Sequence, residues 1–179
     1  MDRTRERITH AAVELHGTIG PAATTMSAVA ERAGVTRATL YRHFPDEVAL
    51  FTACSTDWLA ANPRPDPSDW AAVADPVRRL SAALAELYAY YRSTEQMRTN
   101  LLRDIAAIPE IFRAGIVAFE PATVQILEAG WPGPAGAHLR HAALGHAVGF
   151  ETWRSLAKEG LTDAEAVELM VRFVRCIGD

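Results

Sequence analysis

The chain has 179 residues, 49% hydrophobic and 22% charged, with 18 Lys+Arg against 22 Asp+Glu and a net charge of −4. That length suits one domain or two small ones, and the apolar share is enough for a buried core, so wholesale disorder is excluded. No apolar run approaches a membrane span, the opening MDRTRERITH has no signal-peptide core, and Cys54 and Cys176 lack metal-ligand or CxxC spacing, so a cytoplasmic protein without disulfide framework, metal or cofactor is expected.

The texture is helical from end to end, rich in Ala, Leu, Arg and Glu and without alternating β-type runs, which predicts an all-α fold of about nine helices. The first helix spans about 2–16, with Ile8, Ala11, Ala12, Leu15 and Ile19 on one face, and 17–23 breaks it. A short helix at 25–33 turns Met26, Val29, Ala30 and Ala33 inward. Gly34-Val35 makes a turn, and a third helix starts at Thr36 with Leu40 and Phe44 four residues apart. Pro45 precedes a fourth helix, 46–61, whose first turn carries Asp46 and Glu47 where the helix dipole favours acids. NPRPDPSD, with prolines at 63, 65 and 67, reads as a linker. Asp75-Pro76 opens a helix striped by Val77, Leu80, Leu84, Leu87, Tyr88 and Tyr91, and Ser93 with Gln96 fits a capping box that starts another, to about Ile105. A helix over 109–129 ends at Gly130 and Pro132, a small-residue-rich one runs over 135–159, and a Thr162/Glu165 capping box opens the last, to about Ile177.

Residues 26–45 have the spacing of a helix-turn-helix. Two closely crossing helices need a small residue, here Ala30; the turn needs positive φ, here Gly34; the second helix needs an aliphatic core residue, here Leu40. Thr36, Arg37, Thr39, Tyr41, Arg42 and His43 are then left facing outward, and such donors suit phosphates and base edges. Residues 1–52 hold six arginines and six acids, so the net −4 belongs entirely to the remainder. Arg3, Arg5 and Arg7 recur every second residue, which no single helical face accommodates. They form an unwound minor-groove arm, splay around the first turn, or belong to a frayed, solvated terminus.

The stretch TTMSAVAERAGVTRATLYRHFPDEVALF, Thr24–Phe51, resembles the DNA-binding domain of the tetracycline-repressor (TetR) family of bacterial regulators, as does the preceding ITHAAVELHGTIG. The resemblance covers about the first 55 residues. It implies a homodimer on a palindromic double-stranded DNA operator, with a helix-turn-helix domain at 1–45, a connector helix at 46–61, and a ligand-binding and dimerisation domain extending to 179. Carried over by position, Thr25 and Ser27 approach the DNA backbone, Thr36, Arg37 and Thr39 enter the major groove, and Tyr41 and His43 meet phosphate. Glu47 departs from the pattern, since family members often place a lysine there, which puts a phosphate contact from that side chain in doubt.

The small residues Ala142, Gly145 and Gly149, with Trp153, and the broadly apolar last helix bearing Met170 and Val174, suggest a four-helix interface between two copies; deep burial within one chain is the alternative. A small effector, apolar or aromatic, is then expected among the fourth to eighth helices, near Trp58, Tyr88, Tyr91, Met97, Leu101, Phe112, Phe119, Glu120 and His146. Two other readings remain. The second domain could only dimerise or bind a protein partner. A small helical enzyme is the other, although no nucleophile elbow, H-E-x-x-H, P-loop or dinucleotide fingerprint is present.

Overall fold

The computed structural model describes residues 2–131 and 136–177. Every regular element among them is helical: α1 (Arg3–Thr18), α2 (Met26–Arg32), α3 (Arg37–His43), α4 (Glu47–Ala61), α5 (Pro67–Ala71), α6 (Pro76–Arg103), α7 (Glu110–Val117), α8 (Phe119–Leu127), α9 (Ala137–Val148), α10 (Phe150–Lys158) and α11 (Asp163–Arg175). Short 3-10 turns lie at Pro21–Ala23 and Ile105–Ala107.

The all-α expectation holds, and the differences in count have mostly local causes. The proline-rich segment contains α5. Pro67 occupies its first turn, where a missing N–H is harmless, and the Asp66 carboxylate accepts from the Ser68 N–H at 2.9 Å. Ser93 starts no new helix: its hydroxyl donates to the Tyr90 carbonyl at 2.9 Å and α6 runs through. The long helix expected over 135–159 is broken at Gly149, which is extended (φ −64°, ψ 130°) and separates α9 from α10. Pro132 and the expected helix start at Ala135 lie outside the described residues. The segment 109–129 divides at Ala118, three residues before Pro121, which has no N–H for the Val117 carbonyl and whose ring would clash with it in a continuous helix. Thr162 and Glu165 do form the capping box of α11. Arg3, Arg5 and Arg7 all lie within α1, which begins at Arg3 with the Asp2 carboxylate accepting from the Thr4 N–H at 2.9 Å, so among the described residues they splay around the first turns of a helix.

The chain forms two compact units, Met1–Arg64 with Thr94–Ala114, and Pro65–Ser93 with Gly115–Asp179. Helix α6 contributes residues to both.

In the first unit, Ile8, Ala12, Val29, Leu40, Phe44 and Cys54 are buried. The end of α1 leaves carbonyls without helical partners, and the last residues of α6 supply donors. The buried Asn100 amide donates to the carbonyls of His16 and Gly17, both at 3.0 Å, and Arg103 donates to Ile19 at 3.0 Å. Asp104 accepts from the Ala22 N–H at 3.1 Å and is gripped by Arg103 at 2.7 and 2.8 Å. Between these contacts sits Gly20, at φ +91° and ψ 163°.

His16 is buried beside Cys54 (Nδ1 to Sγ 3.6 Å) and the ring of Phe51. Burial holds its imidazole down at about 4 and pushes the Cys54 thiol up to about 12. Between the ordinary histidine value of 6.5 and about 4, the unfolded chain binds a proton that the folded chain refuses. Stability therefore falls as pH drops through that window, by at most about 3 kcal/mol. Denaturant melts at pH 7 and pH 5 check this: His16→Leu is expected to remove much of the acid-side loss, and an unaltered loss refutes the assignment.

In the second unit the core holds Trp70, Leu84, Leu87, Tyr88, Tyr91, Leu144, Val148, Phe150, Trp153 and Val174. The break at Gly149 exposes backbone groups that side chains then satisfy. Tyr88 donates to the Ala147 carbonyl at 2.7 Å and Tyr91 to that of Val148 at 2.8 Å. Glu120 accepts from the Phe150 N–H at 3.1 Å. Asp163 accepts from the Trp153 indole at 2.9 Å and from both prongs of Arg92, whose hydrogen bonds hold the carboxyl below its ordinary value. No helix of the described residues is long and apolar enough to cross a membrane.

Candidate nucleic-acid interface

Helices α2 and α3 are short, and each begins with a threonine that satisfies its own first turn. Thr25 accepts from the Ala28 N–H and Thr36 from the Thr39 N–H, each at 3.1 Å. The turn between them bonds Val35 N–H to the Ala30 carbonyl at 2.9 Å and passes through Gly34 at φ +63°. Met26, Val29 and Ala30 face inward from α2, Leu40 from α3, and Phe44 is buried at its end.

The opposite side of α3 is open. Thr36, Arg37 and Arg42 are exposed, Tyr41 is 42% exposed, and Thr39 is half-buried. The Arg37 guanidinium lies 6.0 Å from the centre of the Tyr41 ring, one helical turn on, which biases its direction along the helix. The Thr36 and Thr39 hydroxyls are 3.0 Å apart. Thr25 and Ser27 are exposed at the start of α2. All seven residues expected to contact DNA are therefore exposed or partly so. His43 is turned aside: its side chain is 15% exposed and its Nδ1 lies 3.4 Å from the Asp2 carboxylate. That carboxyl sits below its ordinary value, chiefly through the Thr4 N–H, with His43 and Arg42 adding to the effect. Chemically the surface offers hydroxyl donors, a phenol and two guanidinium groups, a set that suits phosphate oxygens and guanine edges.

Residues 8–54, which contain this arrangement, match the family model of bacterial regulatory proteins, tetR family. This segment is therefore similar to the DNA-binding domain of the TetR family. Solved structures share the whole TetR-like fold. A TetR-like transcriptional regulator from Rhodococcus sp. RHA1 has a TM-score of 0.65 at 20% identity, over 97% of this chain and 96% of that one. The TetR-family regulator PfmR from Thermus thermophilus gives 0.62 at 19% identity, over 99% and 96%. NalD, the secondary repressor of the MexAB-OprM multidrug efflux pump in Pseudomonas aeruginosa, gives 0.59 at 22% identity, over 96% and 93%. No curated protein matches the chain by sequence.

The candidate effector contacts divide between the two units. Trp58, Met97, Leu101 and Phe112 are half-buried in the first, where Phe112 packs on Phe51 with ring centres 4.8 Å apart. Tyr88, Tyr91, Phe119, Glu120 and His146 belong to the second. There Tyr88, Tyr91 and Glu120 serve the backbone at the Gly149 break, and His146 lies at the surface, with its ring 5.9 Å from that of Phe173.

The expected interface residues also separate. Ala142 is exposed, and a Cβ added at Gly145 would meet nothing within 4 Å. Trp153, Met170 and Val174 instead face the unit's own core. The exposed large apolar residues of α9 and α11 are Leu139, Leu169 and Phe173, which are not among the expected interface residues. On α11, Leu169 and Phe173 directly precede Met170 and Val174 respectively, and that one-residue offset was the available signal. Among the described residues no three His, Cys, Asp or Glu side chains gather closely enough to hold a metal.

Proposed function

We propose that the chain is a homodimeric transcriptional repressor that binds a palindromic operator and leaves it when a small apolar or aromatic effector binds. The donor-rich outer face of α3, centred on Arg37 and Tyr41, carries this reading. Two such helices related by a dimer axis would address two half-sites in successive major grooves. The apolar residues left exposed on α9 and α11, beside the open backbone at Gly145, support self-association there. The shared fold with NalD gives the repressor sense its precedent. Release requires only that the effector prefer the conformation in which the two recognition helices are wrongly spaced, because equal affinity for both states shifts nothing.

Mapping the DNA sites bound in the native genome tests the operator assignment, and palindromic sites upstream of a small set of genes are expected. Scattered binding without a shared motif refutes it. For the interface, the double variant Leu169→Glu with Phe173→Glu is expected to sediment as a monomer, whereas the wild type sediments as a dimer. Its operator affinity should fall by roughly a hundredfold or more as the second half-site is lost. A dimeric double variant would place the interface elsewhere.

One observation favours a second reading, in which the larger helical region dimerises or binds a protein partner without a small ligand. The hydroxyls of Tyr88 and Tyr91 are already spent on backbone carbonyls. Thermal shifts against a panel of aromatic and apolar compounds, with no compound raising the melting temperature, would favour it.

A further inference from the structure

The alternating arginines of α1 have a physical explanation in the first unit. Residues two apart on a helix point in nearly opposite directions, so Arg5 and Arg7 reach different neighbours. Arg7 donates to the carbonyls of Ala33 and Gly34, at the C-terminal end of α2 and the start of the turn. Arg5 donates to the His43 carbonyl at 2.8 Å, at the C-terminal end of α3, and its guanidinium lies 4.2 Å from the centre of the buried Phe44 ring. Helix C-termini carry carbonyls without helical partners and a partial negative charge, which a guanidinium satisfies on both counts. Gly34 completes the arrangement. A Cβ there would stand 3.2 Å from Arg7 Nη2, so the glycine that makes the turn also admits the arginine.

We infer that Arg5 and Arg7 are positioning residues of the reading head: they fix the ends of α2 and α3 against α1, and so set the angle at which Arg37 and Tyr41 meet DNA. They are not themselves phosphate ligands. Arg7 holds the turn, and Arg5 holds the far end of the recognition helix. The inference rests on the DNA-binding reading and adds to it a specificity role for side chains outside the helix-turn-helix. Lysine keeps the charge of each residue but lacks the planar guanidinium that lies on Phe44 from Arg5 and that, from Arg7, brings Nη2 between the two carbonyls at the α2 end.

The test uses the full-length protein and a duplex selected by the wild type from a randomised library, with an unrelated duplex of equal length as the comparison. Arg5→Lys and Arg7→Lys are each expected to weaken binding to the selected duplex by about tenfold. Affinity for the unrelated duplex and the slope of log affinity against log salt should stay as in the wild type. Wild-type affinity in both lysine variants overturns the inference, whether or not their melting temperature falls, since that outcome describes a phosphate contact or a role in stability alone. Arg7→Met gives a second line of evidence. A salt slope reduced by about one unit for each half-site would mark a phosphate ligand and overturn the inference; an unchanged slope with weakened specific binding supports it. A wild type that enriches no sequence overturns the DNA-binding reading itself, a result distinct from any behaviour of the variants.

Discussion

Arg37→Ala is expected to reduce operator affinity more than any other single change on the α3 surface. A bidentate arginine–guanine contact contributes about 1–3 kcal/mol of discrimination. In the proposed dimer the contact is made twice, so the loss is about 2–6 kcal/mol, or roughly thirtyfold to more than ten-thousandfold. Little of that loss should come from folding, because Arg37 is exposed and its guanidinium lies over the ring of Tyr41, itself at the surface, at 6.0 Å. Titration of selected and unrelated duplexes at one salt concentration checks the claim. The selected duplex should lose its advantage while the unrelated one changes little. Tyr41→Phe should behave differently, weakening both by a similar and smaller factor, as a phosphate contact would. If Arg37→Ala keeps both affinity and sequence preference, the base-reading role assigned to it is wrong.

The second large effect concerns stability. Gly20→Ala places a side chain at φ +91° and ψ 163°, a region open essentially to glycine alone and costing about 1–3 kcal/mol for other residues. The new Cβ would also collide with Arg103 Nη2 and Asp104 Oδ2. Those atoms can move only by releasing the Ile19 carbonyl and the Ala22 N–H. Each lost hydrogen bond adds about 1 kcal/mol. A total near 3 kcal/mol or more is expected, lowering the melting temperature by roughly 6–12 °C for a chain of this size. Gly115→Ala is the control. It lies within α7, and its added Cβ meets nothing within 4 Å, so the helix should gain slightly. Equal effects at the two sites would show that the contacts around Gly20 carry no weight.

The helix-turn-helix was legible in the sequence because its geometry leaves few options at few positions: Ala30 where helices cross, Gly34 in the turn, Leu40 inward, and donors on what remains. The larger helical region obeys looser rules. Gly149 reads equally well as a small packing residue and as a break, and only the tertiary partners Tyr88, Tyr91 and Glu120 make the break tolerable. Ser93 carries the chemistry of a cap, yet with helix formers on both sides its hydroxyl bonds back into α6. The same uncertainty separates Met170 and Val174, which face inward, from Leu169 and Phe173, which do not. An apolar helix shows that it is covered on several sides, but not which side belongs to its own unit. Arg5 and Arg7 were visible only as an odd spacing, because their acceptors are backbone carbonyls, which no side-chain pattern records.

The passage of α6 through both units makes the reading head a discontinuous stretch of chain. A fragment cut after Arg64 would keep the helix-turn-helix and lose Thr94–Ala114, with them the donors to His16, Gly17 and Ile19 and the ring that packs on Phe51. Such a fragment should be soluble only with difficulty and melt early. For the same reason, grafting this head onto a foreign regulatory domain by a single splice would fail. A working chimera has to carry the return segment as well, with junctions near Ser93 and Gly115. Tolerance of an exchange with other regulators will then be set by whether the imported α6 ends in groups that can replace Asn100, Arg103 and Asp104.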